Sequence, residues 1–122
     1  AIAKKAVNIE NLSNFEDILT ALTKNITLKG LSAEKALKRG AVLAVSEGKY
    51  QIVDAASATP ALKVANAVLA EDVVVGTGDV VATVYISGIF NAEEMSVGAE
   101  SDSVQAHEEE LRAVGIYLTH LQ

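Results

Sequence analysis

The sequence predicts an α+β domain that is mainly β, with an arm in front of it and a helix near its C-terminal side. Three observations predict this. Short apolar runs rich in Val and Ala recur between turn signals from Asn25 onward. The clearest of them, over 80–90, places Val80, Ala82, Val84, Ile86, Gly88 and Phe90 on one face and Thr83, Tyr85 and Ser87 on the other. Apolar spacing turns helical near the C-terminal side, where Val104, His107, Leu111 and Val114 make one narrow stripe. The expected division is an N-terminal arm over 1–25 and a β-rich domain over 26–122.

Taken in order, Ile2, Ala3, Ala6, Val7 and Ile9 are scattered among Lys4, Lys5, Asn8 and Glu10 without a period, so residues 1–12 read as a mobile arm. Ser13 and Glu16 then have the spacing of a capping box. Phe15, Ile18, Leu19 and Leu22 follow at helical spacing and predict a short helix over 14–23, marginal without a surface to pack on. A short strand is expected over 26–28, and a loop with one helical turn between Gly30 and Gly40. Strands over 41–45 and 49–53 flank Ser46-Glu47-Gly48, which reads as a hairpin turn. Residues 54–59 form a small-residue loop ending at Pro60, the single proline, and 64–70 is a further strand. Val73–Val75 precedes the turn Gly76-Thr77-Gly78-Asp79. Asp102 or Ser103 can cap the last helix, and Gly115 is placed as its left-handed stop, with Ile116 behind it.

The 122 residues amount to one domain with a single core. There is no cysteine, so disulfides and thiolate metal sites are excluded. No apolar run approaches the ~20 residues of a membrane span, and no signal-peptide pattern is present, so the reading is a soluble protein with no membrane partner. Net charge is −6 and uneven. Residues 1–40 carry seven basic groups against four acidic, and residues 41–122 carry three against twelve. An acidic body argues against direct nucleic-acid binding, which needs clustered Lys and Arg. The basic front end suits an acidic protein surface or is ordinary surface charge.

No residue pattern assembles into a catalytic site. His107 and His120 belong to no His-x-x-x-His pair. His107 and Glu110 are three apart on the helix, but Leu111 occupies the next ligand position, so a helix-surface or core-edge histidine is the reading. Gly76-Thr77-Gly78 leads into a strand, whereas a phosphate loop opens a helix. Glu71-Asp72 and Glu93-Glu94 read as solvated turn charges, and Glu108-Glu109-Glu110 as a solvated helix face. Ser87 lacks the flanking pattern of a nucleophile elbow. The expectation is a protein that is not an enzyme, with no catalytic, cofactor or metal residues, and which works through its surfaces.

An ordered series of segments carries a resemblance. It runs through Leu37-Lys38-Arg39-Gly40-Ala41-Val42-Leu43, then Gly48-Lys49-Tyr50, then Ala67-Val68-Leu69-Ala70-Glu71-Asp72-Val73. Val84-Tyr85-Ile86-Ser87-Gly88-Ile89-Phe90-Asn91 and Leu111-Arg112-Ala113-Val114-Gly115-Ile116-Tyr117-Leu118 complete it. Over about residues 26–118 the series resembles the lambda-type head decoration, or capsid cement, proteins of tailed bacteriophages. The resemblance implies a β-rich decoration fold that trimerises at three-fold and quasi-three-fold positions on the outside of the expanded head. It implies the major capsid protein as partner, a virion location after synthesis in the host cytoplasm, and reinforcement against the pressure of packaged DNA. It also implies an arm that orders on the capsid by adding a strand; here Ile2, Lys4, Lys5, Val7 and Ile9 are the candidate capsid-binding residues. The helix over 14–23 and the extension past Leu118 depart from a simple extended arm and a simple end. The alternative is another virion surface module, such as a head-fibre base or a carbohydrate-adhering protein. Two Phe, three Tyr and no Trp make a poor sugar-stacking surface.

Overall fold

The computed structural model describes residues 21–120. The strands are β1 (Leu22–Leu28), β2 (Lys35–Leu37), β3 (Val42–Ser46), β4 (Lys49–Ile52), β5 (Ala67–Leu69), β6 (Val73–Val75), β7 (Val80–Asn91) and β8 (Ile116–Thr119). One short helix, α1 (Glu108–Ala113), follows a 3-10 turn at Gln105–His107. The fold is thus mainly β with a C-terminal helix, as the apolar patterning predicts.

Strand order explains why so small a body can be stable. The main sheet runs β1-β4-β3-β5-β7-β8, and β1 also pairs with β7, so five strands close on themselves. Closure removes the exposed edges that an open sheet would leave. The β1–β7 seam is long and antiparallel, from Leu22 opposite Ser87 to Leu28 opposite Val80. The β1–β4 seam is thin, a single parallel pairing of Leu28 with Tyr50, extended by Lys29 N–H donating to the Tyr50 carbonyl at 2.9 Å.

Alternation along the strands divides the apolar side chains into two cores. Leu28, Leu43, Leu69, Ala82 and Val84 belong to the barrel's interior cluster, which Leu37 of β2 and Val75 of β6 complete. Val42, Ala44 and Val68, on the opposite face of β3 and β5, pack instead with Leu111 of α1 and Ile116 of β8. The crossover over 92–115, which carries the chain from β7 to the parallel β8, is the cover for that outer face.

The β3–β4 hairpin forms as expected, a two-residue loop in which Glu47 (φ 54) and Gly48 (φ 82) both take positive φ. Such a loop matches the right-handed twist of its strands. Gly115, at φ 94, ends α1 as predicted, its N–H donating to the Arg112 carbonyl at 3.1 Å. Ile116 behind it is fully buried.

Several expectations are corrected. The segment between Gly30 and Gly40 contains a strand and no helical turn: β2 pairs antiparallel with β6, Lys35 opposite Val75. The strand expected over 64–70 shortens to β5, because Pro60–Lys63 forms a 3-10 turn just ahead of it. The helix expected over 14–23 lies outside the described residues up to position 20, and its last two positions, Leu22 and Thr23, are strand paired to β7. Phe90 leaves the face assigned to it and packs with Tyr85 in the outer core, ring centroids 4.7 Å apart. The cause is a break in alternation. The register with β1 shifts between Leu22 and Thr23, and Gly88 takes φ 146, a conformation open chiefly to glycine. Val114, placed on the helix stripe, is exposed; the helix ends before it, and Ile116 takes the buried position.

Candidate functional site

The expected binding residues Ile2, Lys4, Lys5, Val7 and Ile9 lie outside the described residues. What the structure gives is the body from which they lead. Residue 21 enters β1 at Leu22, which is half exposed and sits opposite Ser87 on β7. Two residues further along β7, Ile89 stands opposite Tyr117 of β8, and both are about half exposed (56% and 49%). Register partners project to the same side of a sheet, so these two side chains form an exposed apolar pair. Among the described residues, Val81 is the most open of the large apolar side chains at 70%.

A shallow cavity of about 260 Å³ opens where the end of β7 meets the loop after β2. Tyr85, Phe90 and Met95 give it an apolar wall, and Arg39, Asn91 and Glu94 a polar one. Arg39 is held in place at both ends. Its backbone N–H donates to Asp72 Oδ1 at 2.8 Å, and its guanidinium Nη2 donates to the Tyr85 hydroxyl at 3.1 Å.

The acidic residues are more structural than their spacing suggests. Glu71 Oε2 accepts the Thr83 N–H at 2.8 Å, so Glu71 and Asp72 each pin a neighbouring backbone while remaining exposed. Asp79 accepts from the Lys49 ammonium at 2.6 Å and from the Gly30 N–H at 2.8 Å. It thereby ties the start of β7 to β4 and to the chain leaving β1, across the thin seam. Lys49 and then Gly30 hold the Asp79 carboxyl below the usual carboxylate range.

The carboxylate run on α1 is not simply a solvated face. Glu109 is exposed and Glu108 faces His120 at 3.3 Å, but Glu110 turns inward. Its Oε1 lies 2.5 Å from His107 Nδ1 and accepts the Ala65 N–H at 2.8 Å. Asp102 Oδ2 lies 2.6 Å from the other ring nitrogen, and His107 is buried between the two. Of the two candidate caps, Ser103 serves the turn, its Oγ accepting the Ala106 N–H at 3.2 Å. The spacing of His107 and Glu110 was visible in the sequence. The approach of Asp102 was not, because a loop residue follows no helical period. Burial opposes the ring's charge, but its hydrogen bonds to Asp102 and Glu110 and the charges of these carboxylates outweigh it, so the His107 pKa is raised above its ordinary value.

Among the described residues, no group of three His, Cys, Asp or Glu side chains is arranged to hold a metal ion, and no helix is long and apolar enough to cross a membrane. What the geometry offers is contact surface: an exposed apolar pair, a shallow mixed cavity, and the strand end from which residues 1–20 lead.

No curated protein sequence gives a significant match to the chain. A family model does. The model of the bacteriophage lambda head decoration protein D matches residues 16–116, which takes in the closed barrel, the crossover and the first residue of β8. With most of its length matched, the chain belongs to the bacteriophage lambda head decoration protein D family, structural proteins that decorate the phage capsid.

Proposed function

We propose that this chain cements the phage head. It binds the outer surface of the expanded capsid, as trimers at three-fold and quasi-three-fold positions, and ties neighbouring major capsid subunits together against the pressure of packaged DNA. The observation that carries this reading is the family match over residues 16–116, most of the folded body. The exposed Ile89–Tyr117 pair adds support, since an apolar pair on a small acidic surface favours contact with another protein. Residues 1–12 form the arm in this proposal. Ile2, Val7 and Ile9 fill pockets on the shell while the arm's backbone adds a strand, and Lys4 and Lys5 face acidic groups.

The physical mechanism is linkage. A ligand that binds only the expanded lattice stabilises it by ~2.7 kcal/mol per site at a hundredfold excess over Kd. A trimer presents three arms together, so weak individual arms gain from effective concentration. Co-sedimentation with undecorated expanded heads, with unexpanded proheads as control, tests the reading. Saturable binding to expanded heads alone, with a higher temperature of head disruption, is the expected result. Binding to neither form would remove cementing as the function.

A further inference from the structure

One buried titratable group takes no part in the surfaces above. His107 is 3% exposed and ends the 3-10 turn that leads into α1. Both of its ring nitrogens meet carboxylate oxygens, Nε2 with Asp102 at 2.6 Å and Nδ1 with Glu110 at 2.5 Å. An ionised carboxylate only accepts hydrogen bonds, and a neutral imidazole carries a single N–H. Both contacts are therefore N–H···O bonds when the ring is an imidazolium. Remove the proton, and one ring nitrogen turns a lone pair toward a carboxylate oxygen at contact distance.

The trio joins the sparsely packed loop that enters the 3-10 turn to two better-packed segments. Asp102 belongs to the loop entering the 3-10 turn and Glu110 to α1. Through the Ala65 N–H, Glu110 also holds the loop ahead of β5. Over residues 98–107 only Val104 and His107 are buried. Stretches with so few buried apolar contacts open locally at low free-energy cost. Among the described residues, Asp102 and Glu110 are the titratable side chains that face the ring. The loop ahead of β5 contributes a backbone N–H and no charge, and the other α1 charges are engaged elsewhere, Glu108 with His120 and Glu109 with Arg112.

We infer that Asp102, His107 and Glu110 form a proton-gated latch: the imidazolium holds residues 98–107 onto the body, and its loss lets that segment open while the barrel stays folded. The raised His107 pKa fits this role, because it extends the latched state above the pH at which a free histidine would be neutral.

The test follows both histidines of the full chain by NMR from about pH 6 to about pH 9, with amide hydrogen exchange at each pH corrected for intrinsic rates. The His107 midpoint is expected above the ~6.5 of an unperturbed ring. Between those two values, one-proton linkage makes the opening of 98–107 about tenfold more favourable per pH unit, while amides of β3, β5 and β7 keep their protection. His107→Gln should remove that slope and leave 98–107 less protected at about pH 6. Asp102→Asn keeps the ring and gives a second reading should the first variant not fold; it should lower the His107 midpoint and shorten the window. A His107 midpoint at or below ~6.5 would overturn the latch. So would an opening of 98–107 that is independent of pH, or one inseparable from unfolding of the barrel.

Discussion

At the scale of single residues, the groups that matter most are charged ones that spacing alone misreads. Glu110 belongs to a run that looks solvated, yet it accepts from both His107 and Ala65. Asp79 looks like a turn residue, yet it bridges Lys49 and Gly30 across the seam between β1 and β4. These two sites give global stability opposite pH limbs. The folded-state pKa of His107 is raised, so its contribution is complete below the unfolded value of ~6.5 and is lost as pH rises through the folded value. The folded-state pKa of Asp79 is lowered, so its contribution is present above the unfolded value of ~3.9 and is lost as pH falls through the folded value. Urea unfolding across this range should therefore show stability falling on both sides of a maximum. His107→Gln should flatten the alkaline limb and leave the acid limb in place. If the alkaline limb persists in that variant, the titrating group lies elsewhere.

At the scale of elements, legibility followed how much of an element's stability is local. The β3–β4 hairpin was readable because its turn residues and both strands are contiguous. So was β7 up to Ile86, where strict alternation records one buried face. Beyond that point the pattern misled, because the register shift against β1 and the positive φ at Gly88 exchange the faces and send Phe90 to join Tyr85. β2 escaped notice because three residues carry no period, and its partner β6 is nearly forty residues away. The last helix was expected from a stripe of four apolar or aromatic positions, but α1 has six residues and buries only Leu111. So short a helix draws its stability from packing rather than from propensity. Leu111→Ala should then cost about 2–5 kcal/mol, as for other fully buried leucines. Val114→Ala, on the same expected stripe but exposed, should stay within about 0.5 kcal/mol of the parent. Equal losses from the two in urea unfolding would mean that the stripe, and not the observed end of α1, describes the packing.

At the scale of the whole molecule, the closed barrel was the part no local pattern could announce. Closure rests on β1 meeting β7 across some sixty positions of sequence, and the front half of β1 is exposed and largely polar, so it carries no apolar signal. The family, by contrast, was legible from the order of five unremarkable segments, since order along a chain reflects the fold as a whole. That contrast bears on the proposed arm. Among the described residues, both hydrophobic clusters lie between Ile26 and Leu118. Removing residues 1–12 should therefore leave the urea midpoint unchanged. The same deletion should weaken binding to expanded heads by roughly a hundredfold or more, because a trimer loses three linked contacts at once. The Lys4→Ala, Lys5→Ala double variant should weaken binding less, and most at low salt, since screening already diminishes exposed charge pairs at higher ionic strength. An arm deletion that binds heads as well as the full chain would shift the contact to the body, with Ile89 and Tyr117 as the first side chains to replace. A deletion that lowers the urea midpoint would show instead that residues 1–12 contribute to the barrel itself.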